Sequence, residues 1–180
     1  MIDSKHELKR ILRKEIALYG GGKKYLIPFD FSERQMLMKY CVTLRNLEYH
    51  INAKHKLLSV IYTVRLRRLQ IKTGILIPPN TCGEGLSIGH ITSTIINEKS
   101  CVGNNLRIHA GVVIGAGIDG KAPKIGNNVY IGPGAKIFGD VQIADDVRVG
   151  ANAVVNKSCF ERGVTLVGVP AKGIGWGSDE

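Results

Sequence analysis

From about residue 74 onward the chain repeats itself every six residues, and an internal period constrains a fold more tightly than any local propensity. An aliphatic side chain falls at Val102, Ile108 and Ile114, then, after an interruption, at Ile125, Ile131, Ile137, Ile143, Val149 and Val155. Backwards from Val102 the series runs through Ile96, then Ile88 after two extra residues, then Cys82 and Leu76. The next residue is often small, as at Gly103, Gly115, Gly126, Gly132, Ala144 and Gly150. Six residues make one short strand and one sharp turn, so three hexads close a triangular coil. Stacked coils pair each strand in parallel with the one below and bury a continuous apolar column. Pairs such as Asn104-Asn105 and Asn127-Asn128 suit the bends, because asparagine tolerates left-handed backbone.

The first 74 residues follow a different rule. Leu8, Ile11, Leu12, Glu15, Ile16 and Leu18 form an imperfect helical stripe that Gly20-Gly-Gly22 ends. A turn is expected around Pro28 and Phe29–Phe31. A second helical entry follows at Ser32, with Gln35 placed as a reciprocal capping partner. The helical pattern then continues to about Leu69 through Leu37, Tyr40, Leu44, Leu47 and Ile51, and later Leu57, Leu58, Ile61, Tyr62 and Leu66. The expected organisation is a basic α-helical segment over 1–74, a β-helix over 75–160 with a loop at 116–124, and a tail over 161–180.

Charge follows the same division. Residues 1–74 carry 16 Lys/Arg against six Asp/Glu, whereas residues 75–180 carry nine of each. Such a segment can attract a polyanion or an anionic lipid surface, so peripheral membrane association is one expectation. No nucleic-acid motif or aromatic interleaving points to nucleic acid. The opening MIDSKHELKR lacks the layout of a signal peptide, and no run reaches the roughly 20 apolar residues of a membrane span. The scattered Cys41, Cys82, Cys101 and Cys159 form no disulfide framework. The expectation is a cytoplasmic protein with reduced, mostly buried thiols.

The blocks GEGLSIGH (83–90), IGNNVYIGPGAKIFG (125–139), VRVGANAVVNK (147–157) and VGVPAK (167–172) resemble the hexapeptide-repeat acyltransferases, in particular the serine acetyltransferases and related sugar or polysaccharide O-acetyltransferases. The resemblance covers nearly the whole chain. It implies a mostly β protein, a left-handed parallel β-helix of hexapeptide repeats preceded by an α-helical segment. It also implies a homotrimer with acetyl-CoA held between neighbouring β-helices and no metal. His90 falls at the family's catalytic histidine, inside the hexad lengthened by two residues, and is the expected general base. An imidazole suits that role because it exchanges protons near neutral pH.

The resemblance also assigns coenzyme positions. Pro133 and Ala151 match backbone contacts to the pantetheine arm, and Gly115 and Gly134 match places of close approach. Asn156 and Lys157 match a pair near the nucleotide, and Lys172 a basic residue near its phosphates. His109, one coil after His90, reads either as a second site residue or as a surface turn residue. Asp119 and Glu84 are acidic candidates for orienting His90. His50 and His55, five residues apart, do not share a helical face and read as surface residues.

Three departures bear on the acceptor. Gly89 and Ile75 stand where serine acetyltransferases carry acidic residues, and Ala122 stands where they carry a second histidine before Pro123-Lys124-Ile125. The loop 116–124 is also shorter. These differences point to a glycan hydroxyl as acceptor, with serine as the alternative and a non-catalytic β-helix as the alternative of another class. A zinc site of three histidines is excluded within the repeats, which hold only His90 and His109.

Overall fold

The structure, a computed structural model, describes residues 1–20 and 32–174. The chain divides into two compact units, Met1–Ile75 and Leu76–Glu180. No helix among the described residues is long and apolar enough to cross a membrane.

The first unit contains three helices, α1 (Lys5–Leu18), α2 (Glu33–Asn52) and α3 (Lys56–Thr73). Ser4 caps α1 by accepting from the Glu7 N–H at 3.2 Å, and Gly20, at φ +61°, follows its end. Ser32 caps α2 through the Gln35 N–H, as the sequence suggests, but Gln35 Oε1 is buried without a partner, so the reciprocal bond does not form. The turn expected around Pro28 lies outside the described residues. The helical pattern is not continuous to Leu69: Ala53–His55 separate α2 from α3, with Lys54 at φ +59°. That reversal brings His50 and His55 together, their Nδ1 atoms 3.0 Å apart, a meeting that helical spacing alone does not allow.

Leu8, Ile11, Ile16, Leu37, Tyr40, Leu44 and Leu47 are buried as the stripes require. Leu57, Leu58 and Ile61 on α3 are exposed, and only Leu66 and Thr73 of that helix are buried. Within the helical core lies an ion-pair triad. Arg45, 2% exposed, donates from Nη2 to Glu15 Oε1 and from Nη1 to Glu48 Oε2, each at 2.8 Å. Burial pulls the Arg45 pKa down, and the facing Glu48 and Glu15 carboxylates more than reverse it, leaving the guanidinium above its ordinary value.

The second unit is the left-handed β-helix. Its strands are β1 (Ile75–Leu76), β2 (Ser87–Ile88), β3 (Thr94–Ile96), β4 (Cys101–Val102), β5 (Arg107–Ile108), β6 (Val113–Gly115) and β7 (Lys124–Ile125). They continue as β8 (Tyr130–Ile131), β9 (Lys136–Phe138), β10 (Gln142–Ile143), β11 (Arg148–Val149), β12 (Val154–Val155), β13 (Thr165–Val167) and β14 (Lys172–Ile174). They stack into three faces: face A in the order β1-β3-β6-β9-β12, face B as β4-β7-β10, and face C as β2-β5-β8-β11-β13-β14. Pairing is parallel except between β13 and β14. The coils continue past residue 160, because β13 adds to β11 with Val149 opposite Leu166.

The period places the core. Ile88, Ile96, Val102, Ile108, Ile114, Ile125, Ile131, Ile137, Ile143, Val149 and Val155 are each at most 4% exposed. At about 1.5–3 kcal/mol for each large aliphatic side chain, this column is the main favourable term in the unit. The series loses register at its start. Leu76 is 42% exposed, whereas Ile75 and Ile77 on either side are fully buried. Cys41 and Cys82 are buried, Cys159 is half-buried and Cys101 is exposed, so the four cysteines form no disulfide with one another and are not mostly buried.

The edge from face B to face C explains the asparagines. Asn104 Oδ1 accepts from the Glu84 N–H, Asn127 Oδ1 from the Asn104 N–H, and Asp145 Oδ1 from the Asn127 N–H, at 2.7–3.0 Å. The next residue in each coil, Asn105, Asn128 or Asp146, takes a left-handed φ of +56° to +62°. Their side chains also link coil to coil, ending at Arg162 on Asp146. Backbone donors at the bends are thus satisfied by the coil above.

Candidate active site

The edge from face C to face A gathers most of the candidate residues. Register pairs Ile88 with Ile108, Ile108 with Ile131, and Ile131 with Val149. The residues that follow these four, Gly89, His109, Gly132 and Gly150, therefore form one column, and His109 alone brings a large side chain to it. One step further along lie His90, Ala110, Pro133 and Ala151. His90, His109, Pro133, Gly134 and Ala151 thus lie along one edge.

The corner carrying His90 is two residues longer than those above it. Ile88 and Ile96, eight apart, pair with Ile108 and Ile114, six apart. The excess is taken up between β2 and β3, where His90 is exposed. At its far end Thr94, fully buried, donates from Oγ1 to the His109 carbonyl at 3.4 Å. The lengthened corner is therefore tied to the coil above it.

His109 is packed rather than free at the surface. Its ring lies 5.1 Å from the Tyr130 ring and 6.4 Å from the His90 ring, centroid to centroid. Its Nε2 is buried and makes no hydrogen bond. Burial lowers its pKa, helped by Arg107 and then His90, which favours the uncharged form of the ring. Below it, a Cβ built on Gly89 would lie 2.8 Å from His109 Nδ1 and 3.1 Å from Cε1. The ring thus occupies the volume that any side chain at 89 would need. Gly89→Ala is expected to cost about 1–3 kcal/mol as an overpacking change, and His109→Ala in the same chain should remove most of that cost. Urea unfolding of the two single variants and the double variant checks this, and strictly additive costs would contradict it.

The turn above is tightly packed against the next coil. Gly134, at φ +74°, has no room for a Cβ, which would collide with Asn152 Oδ1. Its N–H donates to the Ala110 carbonyl at 2.7 Å, and the Asn152 N–H donates to the Pro133 carbonyl at 2.9 Å. Pro133 and Ala151 are both exposed on this edge. The Lys136 ammonium donates to the Gly111 and Gly134 carbonyls at 2.5 and 3.0 Å, holding two successive turns together. The sequence reading missed Lys136, Tyr130 and Thr94. For Tyr130 the period carried a signal, since it precedes an inward Ile131 and so faces outward beside the His109 column.

The remaining candidates lie elsewhere. Gly115 ends β6, and Asn156 and Lys157 follow β12, so these three share the edge from face A to face B with the loop 116–124. Asn156 and Lys157 are exposed. A Cβ at Gly115 would meet only ordinary contacts, the nearest at 3.9 Å. Lys172 is exposed on β14, opposite Val167. Asp119 Oδ1 accepts from the Lys121 N–H at 3.1 Å, which commits it to its own loop rather than to His90. The Glu84 N–H belongs to the asparagine ladder. Ile75 and Ala122 are both buried. Among the described residues no group of three or more His, Cys, Asp or Glu side chains is placed to hold a metal ion.

Comparison with known proteins adds to this geometry. The family described as bacterial transferase hexapeptide (six repeats) matches residues 122–157. A serine acetyltransferase of Helicobacter pylori is 34% identical over 179 residues, covering 97% of this chain and 98% of the relative. Among solved structures, serine acetyltransferase from Brucella abortus superposes with a TM-score of 0.71 at 28% identity, over 94% of this chain and 69% of that one. The Neisseria gonorrhoeae serine acetyltransferase in complex with serine gives 0.71 at 26% identity, over 95% and 70%.

Proposed function

Because the chain belongs to the serine acetyltransferase family of hexapeptide-repeat transferases, we propose that it moves acetyl from acetyl-CoA to the hydroxyl of L-serine. The observation that carries this reading is the match to the Helicobacter pylori enzyme over nearly the full length of both chains, helical segment included. The proposed acceptor is therefore serine, where the sequence departures point to a glycan hydroxyl. The acetyl-CoA-dependent transferase chemistry is common to both readings.

In the proposed reaction the serine hydroxyl oxygen attacks the thioester carbonyl carbon. A C–O bond forms, the C–S bond breaks, and the hydroxyl proton passes to His90 and then to the departing thiolate. The products are O-acetylserine and CoA. His90 is supported as the base by its exposed position on the lengthened corner. Backbone N–H groups facing the carbonyl would hold the developing oxyanion.

Pro133, Gly134 and Ala151 lie along the same edge as His90, which suits a pantetheine arm running toward the base. Gly115, Asn156 and Lys157 occupy another edge. A groove between two neighbouring prisms presents different edges of its two protomers, so this division supports a trimer with shared sites. Sedimentation is expected to give a trimer, and a monomer in the active preparation would remove the shared groove. Lys172→Ala is expected to weaken CoA binding about tenfold, the scale of one charge-assisted hydrogen bond, with little change in saturated turnover. Calorimetric titration with CoA measures it.

A sugar hydroxyl remains a second reading, favoured by Gly89, whose place beside His90 is filled by the His109 ring. Release of CoA from acetyl-CoA with L-serine, tested beside sugars and nucleotide sugars, decides between them. Turnover with a sugar and none with L-serine would sink the serine assignment.

A further inference from the structure

The excess positive charge of residues 1–74 takes no part in the proposed chemistry, and part of it converges on one cleft. Between α2 and α3 lies a cleft of about 280 Å³ lined by Lys39, Thr43, Arg65, Arg68, Leu69 and Lys72. Lys39 and Thr43 are one helical turn apart on α2. Arg65, Arg68, Leu69 and Lys72 follow the i, i+3, i+4, i+7 spacing of a single face of α3. None of the four cations has an ion-pair partner among the described residues. Like charges at i, i+3 and i, i+4 destabilise a helix, so Arg65, Arg68 and Lys72 burden α3 unless an anion neutralises them.

The donor set narrows the anion. Guanidinium groups match pairs of phosphate oxygens with two parallel hydrogen bonds, whereas ammonium groups serve as point charges. Arg65 is also held against the Tyr62 ring, 5.3 Å from its centroid, which limits the orientations of its fork. A phosphoryl group carries roughly −1.5 to −2 charges, so two or more are needed to balance four cations. The volume lies near the lower end of small-molecule sites, roughly 300–1,000 Å³. We propose that the α2–α3 cleft is a binding site for a short oligophosphate anion, separate from the acetyl-transfer site.

Calorimetric titration of the full-length protein with inorganic triphosphate, in the presence of saturating CoA, tests the assignment. The expected result is one saturable site per protomer that weakens steeply between 50 mM and 300 mM salt. Arg65→Gln/Arg68→Gln should weaken it at least tenfold while leaving helix content and acetyl transfer unchanged, and Lys39→Gln should weaken it to a smaller extent. Saturable binding that the double variant leaves intact would overturn the proposal, as would no binding to CoA-saturated protein. Tight binding of polyglutamate or of phosphatidylserine vesicles, without triphosphate binding, would also overturn it, in favour of an acidic protein segment or a membrane surface. Acetyl-transfer assays on the same samples keep this result independent of the function proposed above.

Discussion

His90→Ala is expected to slow acetyl transfer by roughly 10²–10⁴-fold, the usual span for a positioned general base, while CoA still binds. The reason lies in the corner between β2 and β3. Its two extra residues carry no core side chain, and His90 is exposed there, so truncation removes a proton acceptor without opening a cavity. The loss should therefore appear in turnover, with the unfolding midpoint close to that of the parent. Steady-state kinetics with titration of CoA separates the two quantities. A variant that retained parental turnover would place the base elsewhere.

Arg45→Met should have the largest effect on stability, about 3–5 kcal/mol, because it removes the Arg45 cation from two buried carboxylates. Glu15 and Glu48 are 1% and 2% exposed, and each makes an ion pair with Arg45. Adding Glu15→Leu and Glu48→Leu to Arg45→Met should restore much of the loss, since an ion triad replaced by apolar groups of similar volume is often near neutral. Urea denaturation followed by helical circular dichroism measures both. A cost below about 1 kcal/mol for Arg45→Met alone would mean that water reaches the triad when the cation is gone.

The β-helix was legible because a six-residue period leaves its core positions little choice. Ile108, Ile131 and Val149 were named from spacing and are stacked opposite one another. Legibility failed where the stack ends: Ile75 and Ile77 are buried and Leu76 is not, because nothing in the repeat specifies the phase of the first strand. In the helices the apolar stripe of α2 reads correctly through Leu44 and Leu47, yet Arg45 between them is as buried as they are. Its pairing with Glu15, thirty residues away, and with Glu48 compensates for that burial.

The candidate site divides in the same way. The lengthened corner that carries His90 was legible from the hexad spacing, whereas the contact of His109 with Gly89 spans twenty residues and depends on the register of stacked coils. Gly89 read alone suggests a missing acidic group. In the structure it is also the space that admits the His109 ring. The relative matched over nearly the whole chain is a serine acetyltransferase, which supports the proposed serine acceptor over a glycan.

The edge that bears His90 works as a ruler graduated in coils. Parallel strands lie about 4.8 Å apart, so His90, Ala110, Pro133 and Ala151 mark successive ticks, with Ala151 roughly 14 Å from the first. Grafting one more coil beyond β13 would lengthen the prism and leave every tick in place. The same eighteen residues inserted between β5 and β8 would carry Pro133 and Ala151 one graduation away from His90. On the proposed assignment, a thioester whose arm rests on those two residues would then stop short of His90. Tolerance to added length should thus differ sharply between the two ends of one uniform rod, although the rod itself would fold equally well in both cases.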